Sequence, residues 1–324
     1  MPISSAHAAY IGRFAPSPTG PLHAGSLVAA LASYLDALAH GGKWLVHIDD
    51  ADTSRVQAGA AETILAQLAH YGFESGVGSS CKPSYTQDFR SQHAQALSRL
   101  WQAGRCYGCA CTRADVGRSA VTSPLGERLY AGRCASLGLS LHSPELRAVR
   151  LRSPDLAVQF NDLHCGAQSQ NIKHAVGDFV LWRPESVGHI NTDAASSEQV
   201  LAKGAFNYQL TIVCDDHALG VTHVVRGADL LGNTARQLYV YKCLGYPAPK
   251  YRHVPVLCGA DGAKLSKQHG AAALPFTDPL PYLQVAAAHL GLNVKSQWRN
   301  ATSVAAFWIE AVRAWEIQYL EPKL

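Results

Sequence analysis

The chain has 324 residues, of which 48% are hydrophobic and 16% are charged, and its formal net charge is +4. This composition is too apolar and too weakly charged for a disordered chain. No stretch approaches the roughly 18 consecutive apolar residues of a membrane span. The first residues also lack the basic and apolar regions of a secretory signal. The sequence therefore predicts a cytoplasmic protein of about two domains, without a membrane partner.

The N-terminal part of the chain predicts a β-α-β unit. Its expected elements are a strand over 10–14, a proline-rich turn over 15–21, a helix over 26–40, a strand over 44–48, and helices over 58–71 and 87–103. The prolines of the turn exclude both helix and sheet there, and Gly41 and Gly42 end the first helix. Strands and helices that alternate in this way are typical of a doubly wound parallel sheet.

The middle of the chain interrupts this alternation. Residues 105–204 contain short β-like runs at 148–151 and 179–182 between polar loops, and the segment 186–204 is expected to be a mobile loop. Nine Arg and Lys residues against five carboxylates in 105–174 give this stretch a charge of +4, the whole excess of the chain. Such clustering is typical of a phosphate-facing surface, although a merely solvated basic face has the same composition.

The sheet pattern then returns, and the chain ends in helices. Strands are expected over 208–214 and 221–226, helices over 233–244 and 281–290, and an apolar helical stripe formed by Val304, Phe307, Trp308, Ala311, Val312 and Trp315. We therefore divide the chain into a first half of the sheet domain (1–104), an insertion (105–204), a second half (205–250) and a helical C-terminal region (251–324).

The segment R-F-A-P-S-P-T-G-P-L-H-A-G-S at 13–26 lies between a predicted strand and a predicted helix. This is the edge of the sheet at which open α/β folds bind ligands. Gly20 and Gly25 allow a ligand to approach the backbone, and the N-terminus of the helix offers N–H groups to an anion. His23 is able to donate a hydrogen bond to a phosphate. Each of these features on its own is also common in structural loops.

A second segment, K-L-S-K-Q at 264–268, follows a glycine-containing loop. Lysine is a compact charge on a flexible stem, which suits contact with a moving pyrophosphate. Taken alone, two lysines in such a loop can equally be a solvated surface feature.

Three of the nine cysteines lie within C-Y-G-C-A-C at 106–111. A chain of this size without a secretory signal argues against a disulfide framework. Clustered thiolates favour tetrahedral zinc, and Cys109 and Cys111 are spaced to provide two ligands on one turn.

In this order, the two segments resemble the HIGH and KMSKS signatures of class I aminoacyl-tRNA synthetases. The flanking H-I-D-D-A-D-T-S-R at 47–55 and G-V-T-H-V-V-R-G-A-D-L-L-G-N-T-A-R-Q at 220–237 are similar to the glutamyl branch. The resemblance covers residues 10 to about 270. The chain ends near the point where the anticodon-binding domain of glutamyl enzymes would begin, and it carries a C-x-C cluster. It therefore resembles the glutamyl-Q tRNA(Asp) synthetases.

The resemblance implies an α/β fold with a Rossmann-like class I catalytic domain, a zinc-containing insertion, a small helical C-terminal region and no anticodon-binding domain. It implies that the protein activates L-glutamate with ATP and Mg²⁺ without tRNA. The glutamyl group would then pass to queuosine in the anticodon stem-loop of tRNA(Asp). A truncated glutamyl-tRNA synthetase that charges a tRNA 3′ end, and a non-catalytic tRNA- or nucleotide-binding paralogue, are the alternatives. We expect a monomer.

The resemblance also implies roles for individual residues. The glutamate pocket would contain Arg13, Phe14, Ala15, Pro16, Ser17, Asp49, Tyr208 and Arg226, with Arg226 pairing with a carboxylate. His23, Gly25 and Lys267 would bind ATP, and His23, Lys264 and Lys267 would be catalytic. Asp49 stands where the family has glutamate, so either the pocket is contracted or a water fills the gap. Independently of the resemblance, the clustered charge of the insertion predicts that its basic residues Arg147 and Arg150 contact RNA.

The family pattern C-x-C…Y-x-x-x-C fits Cys109, Cys111, Tyr130 and Cys134, which would hold one structural zinc ion. Tyrosine is an unusual ligand because the pKa of its phenol is about 10. Cys106 is a rival for the fourth position.

Overall fold

The computed structural model describes residues 9–74, 82–119, 121–123, 126, 128–185, 196–259, 271–292 and 297–320. Lys264 and Lys267 lie outside the described residues. The strands are β1 Ile11–Phe14, β2 Lys43–Ile48, β3 Ser84–Tyr85, β4 Cys106–Cys109, β5 Val121–Thr122, β6 Arg128–Leu129, β7 Ala148–Leu151, β8 Ala157–Asp162, β9 Gly166–Asn171, β10 Phe179–Pro184, β11 Gly204–Phe206, β12 His223–Gly227 and β13 Lys250–Val254. The α-helices are α1 Ala24–Ala39, α2 Ala60–His70, α3 Arg90–Gln102, α4 Arg113–Ser119, α5 Ile172–Ala175, α6 Ser197–Leu201, α7 Tyr208–Ala218, α8 Leu231–Leu244, α9 Leu280–His289 and α10 Val304–Trp315.

A parallel sheet in the order β13-β12-β1-β2-β3 forms the centre of the described structure. The chain moves outward from β1 in both directions, which is the topology of a doubly wound sheet. The predicted α/β class with a parallel sheet is therefore confirmed. The predicted helices are also present, with ends that differ by a few residues, as helix ends commonly do. The edge strand β13 was not predicted, and it continues the sheet through Val254.

One face of this sheet is apolar and packs against helices. Phe14, Val46, Ile48, Val225 and Val254 come from alternate positions of four strands and join one core with α1, α9 and α10. Because side chains alternate between the two faces of a strand, these positions share a face. The core places the helical C-terminal region against the back of the sheet.

The apolar stripe predicted for the last helix is confirmed. Within α10, Phe307, Ala311 and Trp315 are fully buried, and the remaining members of the stripe pack against the same core. The indole Nε1 of Trp315 also donates a 2.9 Å hydrogen bond to Asp36 in α1. Tyr10 donates to the other oxygen of that carboxylate at 2.7 Å, so the buried Asp36 is satisfied by groups from distant parts of the chain.

The opposite face of the sheet is polar, although it is equally buried. Arg13, His47, Arg226 and His253 occupy this face on four strands, and each is less than a tenth exposed. Their partners include carboxylates and amides on α7 and α8. Buried charged groups require such partners because leaving one unpaired is costly. This polar layer therefore fixes how α7 and α8 lie on the sheet.

Asp215 joins two histidines within this layer. His47 Nε2 lies 3.0 Å from one carboxylate oxygen and His93 Nε2 lies 2.6 Å from the other. Burial alone would raise the pKa of Asp215, but these hydrogen bonds outweigh it and lower that pKa. The ionised carboxylate therefore stabilises the fold at pH values above its pKa in the unfolded chain. This stabilisation is lost as the pH falls through the lowered pKa of the folded state.

Two predictions of local structure were wrong. The segment 208–214, predicted as a strand, begins helix α7, where the Asn207 side chain accepts a hydrogen bond from the N–H of Gln209. This helix is buried on most sides and so lacks the polar stripe that distinguishes a helix from a strand in sequence. The predicted loop 186–204 contains α6 and the start of β11 in its described part, and 186–195 lies outside the described residues.

The residues between α3 and α7 form a separate antiparallel sheet in the order β11-β10-β7-β4. The predicted β-like runs at 148–151 and 179–182 belong to β7 and β10. A hairpin of β8 and β9 connects this region to the parallel sheet. Asp162 at the end of β8 accepts a 2.6 Å hydrogen bond from His253 Nδ1 in β13. In the described part of the chain, no helix has the length and apolar character required to cross a membrane.

Candidate active site

A cavity of about 400 Å³ opens at the C-terminal ends of β1, β12 and β13. It brings together most of the residues predicted for glutamate and ATP: Arg13, Phe14, Ala15, Pro16, Ser17, His23, Gly25, Tyr208 and Arg226. Tyr208 reaches the cavity from the first turn of α7 rather than from a strand. Asp49 lies just behind this lining, and Lys264 and Lys267 are outside the described residues. The cavity is where a doubly wound sheet binds its ligands.

Arg13 is held in the cavity wall by one carboxylate. Its Nε and Nη2 donate to the two oxygens of Asp216 at 2.9 and 3.0 Å, a bidentate pair in which both residues are almost fully buried. Such a pair fixes the plane of the guanidinium. Among the described residues, the second edge of the guanidinium has no hydrogen-bond acceptor. Arg13 can therefore offer that edge to a carboxylate in the cavity.

Arg226 is held more completely. Its Nε donates to His253 Nε2 at 3.0 Å, its Nη1 to Gln237 at 2.8 Å, and its Nη2 to Thr234 at 2.8 Å. Since His253 Nε2 accepts this bond, its Nδ1 carries the proton that is donated to Asp162. Arg226 thus has fewer donors left for a ligand than Arg13 has. Its positive charge nevertheless lies in the cavity wall without a direct carboxylate partner among the described residues.

Asp49 is tied to the proline-rich turn. Its backbone N–H donates to the carbonyl of Pro16 at 3.0 Å, and Ser17 Oγ donates to its carboxylate at 3.2 Å. The turn itself depends on Gly20, whose φ of 125° is unfavourable for other residues. Burial raises the pKa of Asp49, and the hydrogen bonds from Ala51 and Ser17 only partly offset it. A cationic ligand group near Asp49 would favour its ionised form.

His23 is the N-cap of α1, and its side chain determines which N–H groups of this helix end are available to a ligand. Its Nδ1 accepts hydrogen bonds from the N–H groups of Gly25 and Ser26 at 3.1 and 3.3 Å. These two backbone groups are therefore engaged by the imidazole, contrary to the expectation that they are available to an anion. Because Nδ1 is an acceptor, the neutral ring carries its proton on Nε2. His23 is thus fixed in the tautomer that donates from Nε2.

Several residues of the cavity were not anticipated from the sequence. Thr19, Arg55, Asp229 and Leu230 also line it. Arg13, Arg226 and Arg55 present guanidinium groups to the cavity, of which Arg13 and Arg55 are paired with Asp216 and Asp52. Arg55 belongs to the quoted H-I-D-D-A-D-T-S-R segment and could have been found there. Asp216 gave no signal because it lies just after the segment 208–214, which was predicted as a strand.

A cysteine cluster lies apart from this cavity, between β4 and the turn after β6. The Sγ atoms of Cys109, Cys111 and Cys134 are all within 4.8 Å of one another. The hydroxyl oxygen of Tyr130 lies 3.5 Å from Cys109 Sγ and 3.3 Å from Cys111 Sγ. Three thiols and a phenol thus converge on one point. Soft sulfur donors in this arrangement fit a tetrahedral zinc ion.

The geometry distinguishes the two candidates for the fourth ligand. Cys106 packs in the core formed by α3, α8 and the antiparallel sheet, where Cys243 is its neighbour, whereas Cys109 packs with Tyr130 and Cys134. The structure thus brings Tyr130, and not Cys106, to the other three residues.

Arg150 lies beside this cluster and is almost fully buried. It is only 6% exposed, its Nε donates to Cys109 Sγ at 3.3 Å, and its guanidinium stacks 3.8 Å from the centre of the Tyr130 ring. Arg150 is therefore not the exposed basic residue that the charge count suggested, and its contact with RNA stays a prediction. Its guanidinium instead contacts the cluster, through a sulfur of Cys109 and the ring of Tyr130. Arg147 is half-buried, and its proposed contact with RNA stays a prediction.

Comparison with protein families and curated proteins agrees with this architecture. Residues 11–278 match the family described as tRNA synthetases class I (E and Q), catalytic domain. A Burkholderia cenocepacia protein named glutamyl-Q tRNA(Asp) synthetase is 48% identical over 312 residues, which are 94% of this chain and 96% of the relative. A protein of the same name from Verminephrobacter eiseniae is 45% identical over 325 residues, which are 98% of this chain and 100% of that relative.

A solved structure provides a further comparison. The glutamate tRNA ligase from Elizabethkingia meningosepticum, solved in complex with its amino acid, superposes with a TM-score of 0.65 at 26% identity. The match covers 81% of this chain but 53% of that one, so this chain spans about half of the ligase. The fold, the family match and the near-complete overlap with curated relatives agree. The chain is therefore an aminoacyl-tRNA synthetase-type ligase of class I and belongs to the glutamyl-Q tRNA(Asp) synthetase family.

Proposed function

We propose that this protein activates L-glutamate with ATP and transfers the glutamyl group to queuosine in the anticodon loop of tRNA(Asp). The observation that carries the proposal is the cavity at the C-terminal edge of the parallel sheet. Arg13, Arg226 and Tyr208 meet there with the motif that begins α1. The transferred glutamyl group and its tRNA(Asp) acceptor are inferred from the names of the curated relatives.

Glutamate would be held by opposite charges on the two sides of the proline-rich turn. The second edge of the Arg13 guanidinium and the guanidinium of Arg226 suit its carboxylates. Asp49, positioned by Ser17 and Pro16, suits its ammonium group. Phe14, Ala15 and Pro16 would supply the remaining wall, and Tyr208 would close it. Asp49 has a shorter side chain than the glutamate of the family. We therefore include its hydrogen bond with Ser17 in the proposed arrangement.

ATP would lie next to α1, with Mg²⁺ on its phosphates. The carboxylate of glutamate attacks the α-phosphorus, the bond to the β-phosphate oxygen breaks, and pyrophosphate leaves. His23 would donate from Nε2 to a phosphate oxygen, and Gly25 would permit its close approach. Lys264 and Lys267 would neutralise the charge that develops on the leaving pyrophosphate. Catalysis would then consist of positioning and charge stabilisation.

The remaining assignments follow the same proposal. The cysteine cluster with Tyr130 would hold a structural zinc ion that stabilises the insertion, taken as 105–204. The sheet domain would comprise 1–104 and 205–250, followed by the C-terminal region 251–324. The protein would act in the cytoplasm as a monomer.

An anticodon stem-loop of tRNA(Asp) that bears queuosine should be a competent substrate by itself. We expect glutamate-dependent pyrophosphate exchange without any RNA, followed by transfer of labelled glutamate to the isolated stem-loop. The matched control is the same stem-loop with unmodified guanosine in place of queuosine, which should accept nothing. The measurement is the amount of acid-precipitable glutamate on each RNA.

The two alternative functions give different results in the same assays. Glutamate on the 3′ adenosine of a full tRNA, with none on the stem-loop, would identify a glutamyl-tRNA synthetase and overturn the proposal. Absence of pyrophosphate exchange, with binding of tRNA or ATP retained, would identify a non-catalytic paralogue.

Replacing Lys267 with alanine should slow formation of the adenylate by roughly 10²-fold. This is the scale of losing one contact made in the transition state. Glutamate binding should change little, because the lysine is proposed to contact pyrophosphate. Pyrophosphate exchange measures the rate, and its dependence on glutamate concentration measures binding. An unchanged exchange rate would show that this lysine has no role in activation.

A further inference from the structure

A small cavity of about 130 Å³ lies on the outer side of the cysteine cluster. It is lined by Arg113 from α4, Arg128 from β6, Arg150 from β7 and Arg183 from β10, together with Cys111 and Thr112. The four arginines come from four different elements, so the fold rather than the local sequence brings them together. This volume is large enough to admit a small anion such as a phosphate group.

The positive charge of this cavity is not compensated within the described residues. No carboxylate from the described part of the chain lines the cavity, and none of those carboxylates pairs with Arg113, Arg128 or Arg183. Asp115, the carboxylate of α4, instead accepts from Thr112 and pairs with Arg118 at 2.5 Å. Partial burial, followed by the positive charges of Arg150 and Arg113, lowers the pKa of Arg183. Among the described residues, the positive charges of Arg183, Arg150 and Arg113 therefore repel one another.

The cysteine cluster does not account for all four arginines. Arg150 already donates to Cys109 Sγ and stacks on the Tyr130 ring, so its guanidinium is engaged by the cluster. The other three are more exposed than Arg150, and they make no hydrogen bond to sulfur within the described residues. Arg128 also lies close to α4, since a Cβ added to Gly117 would be 3.2 Å from its Nη1. Glycine at this position leaves room for the guanidinium.

We propose that Arg113, Arg128 and Arg183 form a binding pocket for a single backbone phosphate of the RNA substrate. Guanidinium groups match phosphate oxygens in geometry and charge, and several can share one phosphate. The proposal rests on the proposed function, because it takes the RNA acceptor as the source of the phosphate. The pocket would anchor the RNA on the insertion and leave the sheet cavity for glutamate and ATP.

The number of phosphates can be counted from the salt dependence of RNA binding. The slope of log affinity against log salt falls by about 0.7–0.9 for each phosphate contact that is lost. The triple variant Arg113→Gln, Arg128→Gln, Arg183→Gln should therefore lose about one such unit with a queuosine-bearing anticodon stem-loop. Between 50 and 200 mM salt, the wild type should then weaken about threefold more than the variant. Arg118→Gln on the same helix is the matched control and should leave the slope unchanged.

Further measurements distinguish one shared phosphate pocket from scattered surface contacts and from a folding defect. The corresponding triple lysine variant should restore the slope, which shows that charge and not local folding is responsible. Metal content and RNA-free pyrophosphate exchange should remain at wild-type levels in both triple variants. If the slope of the glutamine variant falls by two or more phosphate contacts, the arginines make separate surface contacts and the pocket is disproved. An unchanged slope would also disprove the pocket.

Binding of free phosphate is tested by thermal unfolding of the wild type and the triple glutamine variant in millimolar inorganic phosphate. Phosphate should raise the Tm of the wild type more than that of the triple glutamine variant, because the proposed pocket holds a phosphate group. A phosphate-induced rise in Tm that only the wild type shows, with equal RNA affinities, would make this a small-anion site and overturn the proposal. If the wild type transfers glutamate to RNA and the variants bind RNA equally well, only the pocket is disproved. If the wild type makes the adenylate but does not bind or modify the stem-loop, both the pocket and the proposed function are disproved.

Discussion

Replacing Asp216 with asparagine should destabilise the folded protein by about 3–5 kcal/mol, the cost of breaking a buried ion pair by removing one partner. Asp216 and Arg13 are both almost fully buried and joined by two hydrogen bonds. The asparagine keeps the shape of the side chain but leaves the Arg13 charge without its counter-ion. Urea unfolding followed by tryptophan fluorescence measures the change in the free energy of unfolding.

An exposed ion pair provides the control for this prediction. Arg55 Nε lies 2.7 Å from Asp52 Oδ2, and both side chains are at least half exposed. Asp52→Asn should therefore change stability by less than about 1 kcal/mol. Equal effects of Asp52→Asn and Asp216→Asn would contradict the description of Asp216 as the counter-ion of a buried arginine.

The double variant Arg13→Met with Asp216→Leu separates stability from function. Replacing a buried ion pair by apolar residues is often neutral for folding, so most of the lost stability should return. Pyrophosphate exchange should nevertheless remain far below wild type, because the proposed carboxylate partner of glutamate is gone. Recovery of both stability and exchange would show that Arg13 has only a structural role.

The parallel sheet could be predicted because its strands and helices alternate with clear punctuation. β1, α1 and β2 are separated by a proline-rich turn and by Gly41 and Gly42, and both kinds of signal act locally. The cysteine cluster was also visible, since Cys109 and Cys111 are close in sequence. Residues that are near in the chain and chemically distinctive are the ones that sequence reasoning finds.

The polar layer on the other face of the sheet could not be predicted, because its partners lie far apart in the chain. Arg13 meets Asp216 across some two hundred residues, and His253 meets Asp162 between two different sheets. The assignment of 208–214 to a strand hid the first of these pairs, because a fully buried helix has no amphipathic pattern. Arg150 was likewise counted as surface charge, since net charge does not report burial. Charged residues of the interior become recognisable only when their partners are known.

Replacing Cys134 with serine should abolish stoichiometric zinc and unfold the region around the cluster. A hydroxyl is a weaker zinc ligand than a thiolate, and the free energy of metal binding contributes directly to folding. Elemental analysis of protein purified with zinc available measures the metal, and limited proteolysis detects opening of the insertion. Cys165→Ser, which alters a cysteine outside the cluster, is the control and should retain both the metal and resistance to protease.

The same assay should identify the fourth ligand. Tyr130→Phe removes only the hydroxyl that lies 3.3 Å from Cys111 Sγ, and it keeps the ring on which Arg150 stacks. Zinc affinity should fall by at least roughly 10–100-fold, the loss seen even when groups beyond the ligands are removed. Cys106→Ala should leave affinity unchanged, because Cys106 packs in a different core. Weaker zinc binding in Cys106→Ala, together with unchanged binding in Tyr130→Phe, would reverse this assignment and require β4 to turn its other face toward the metal.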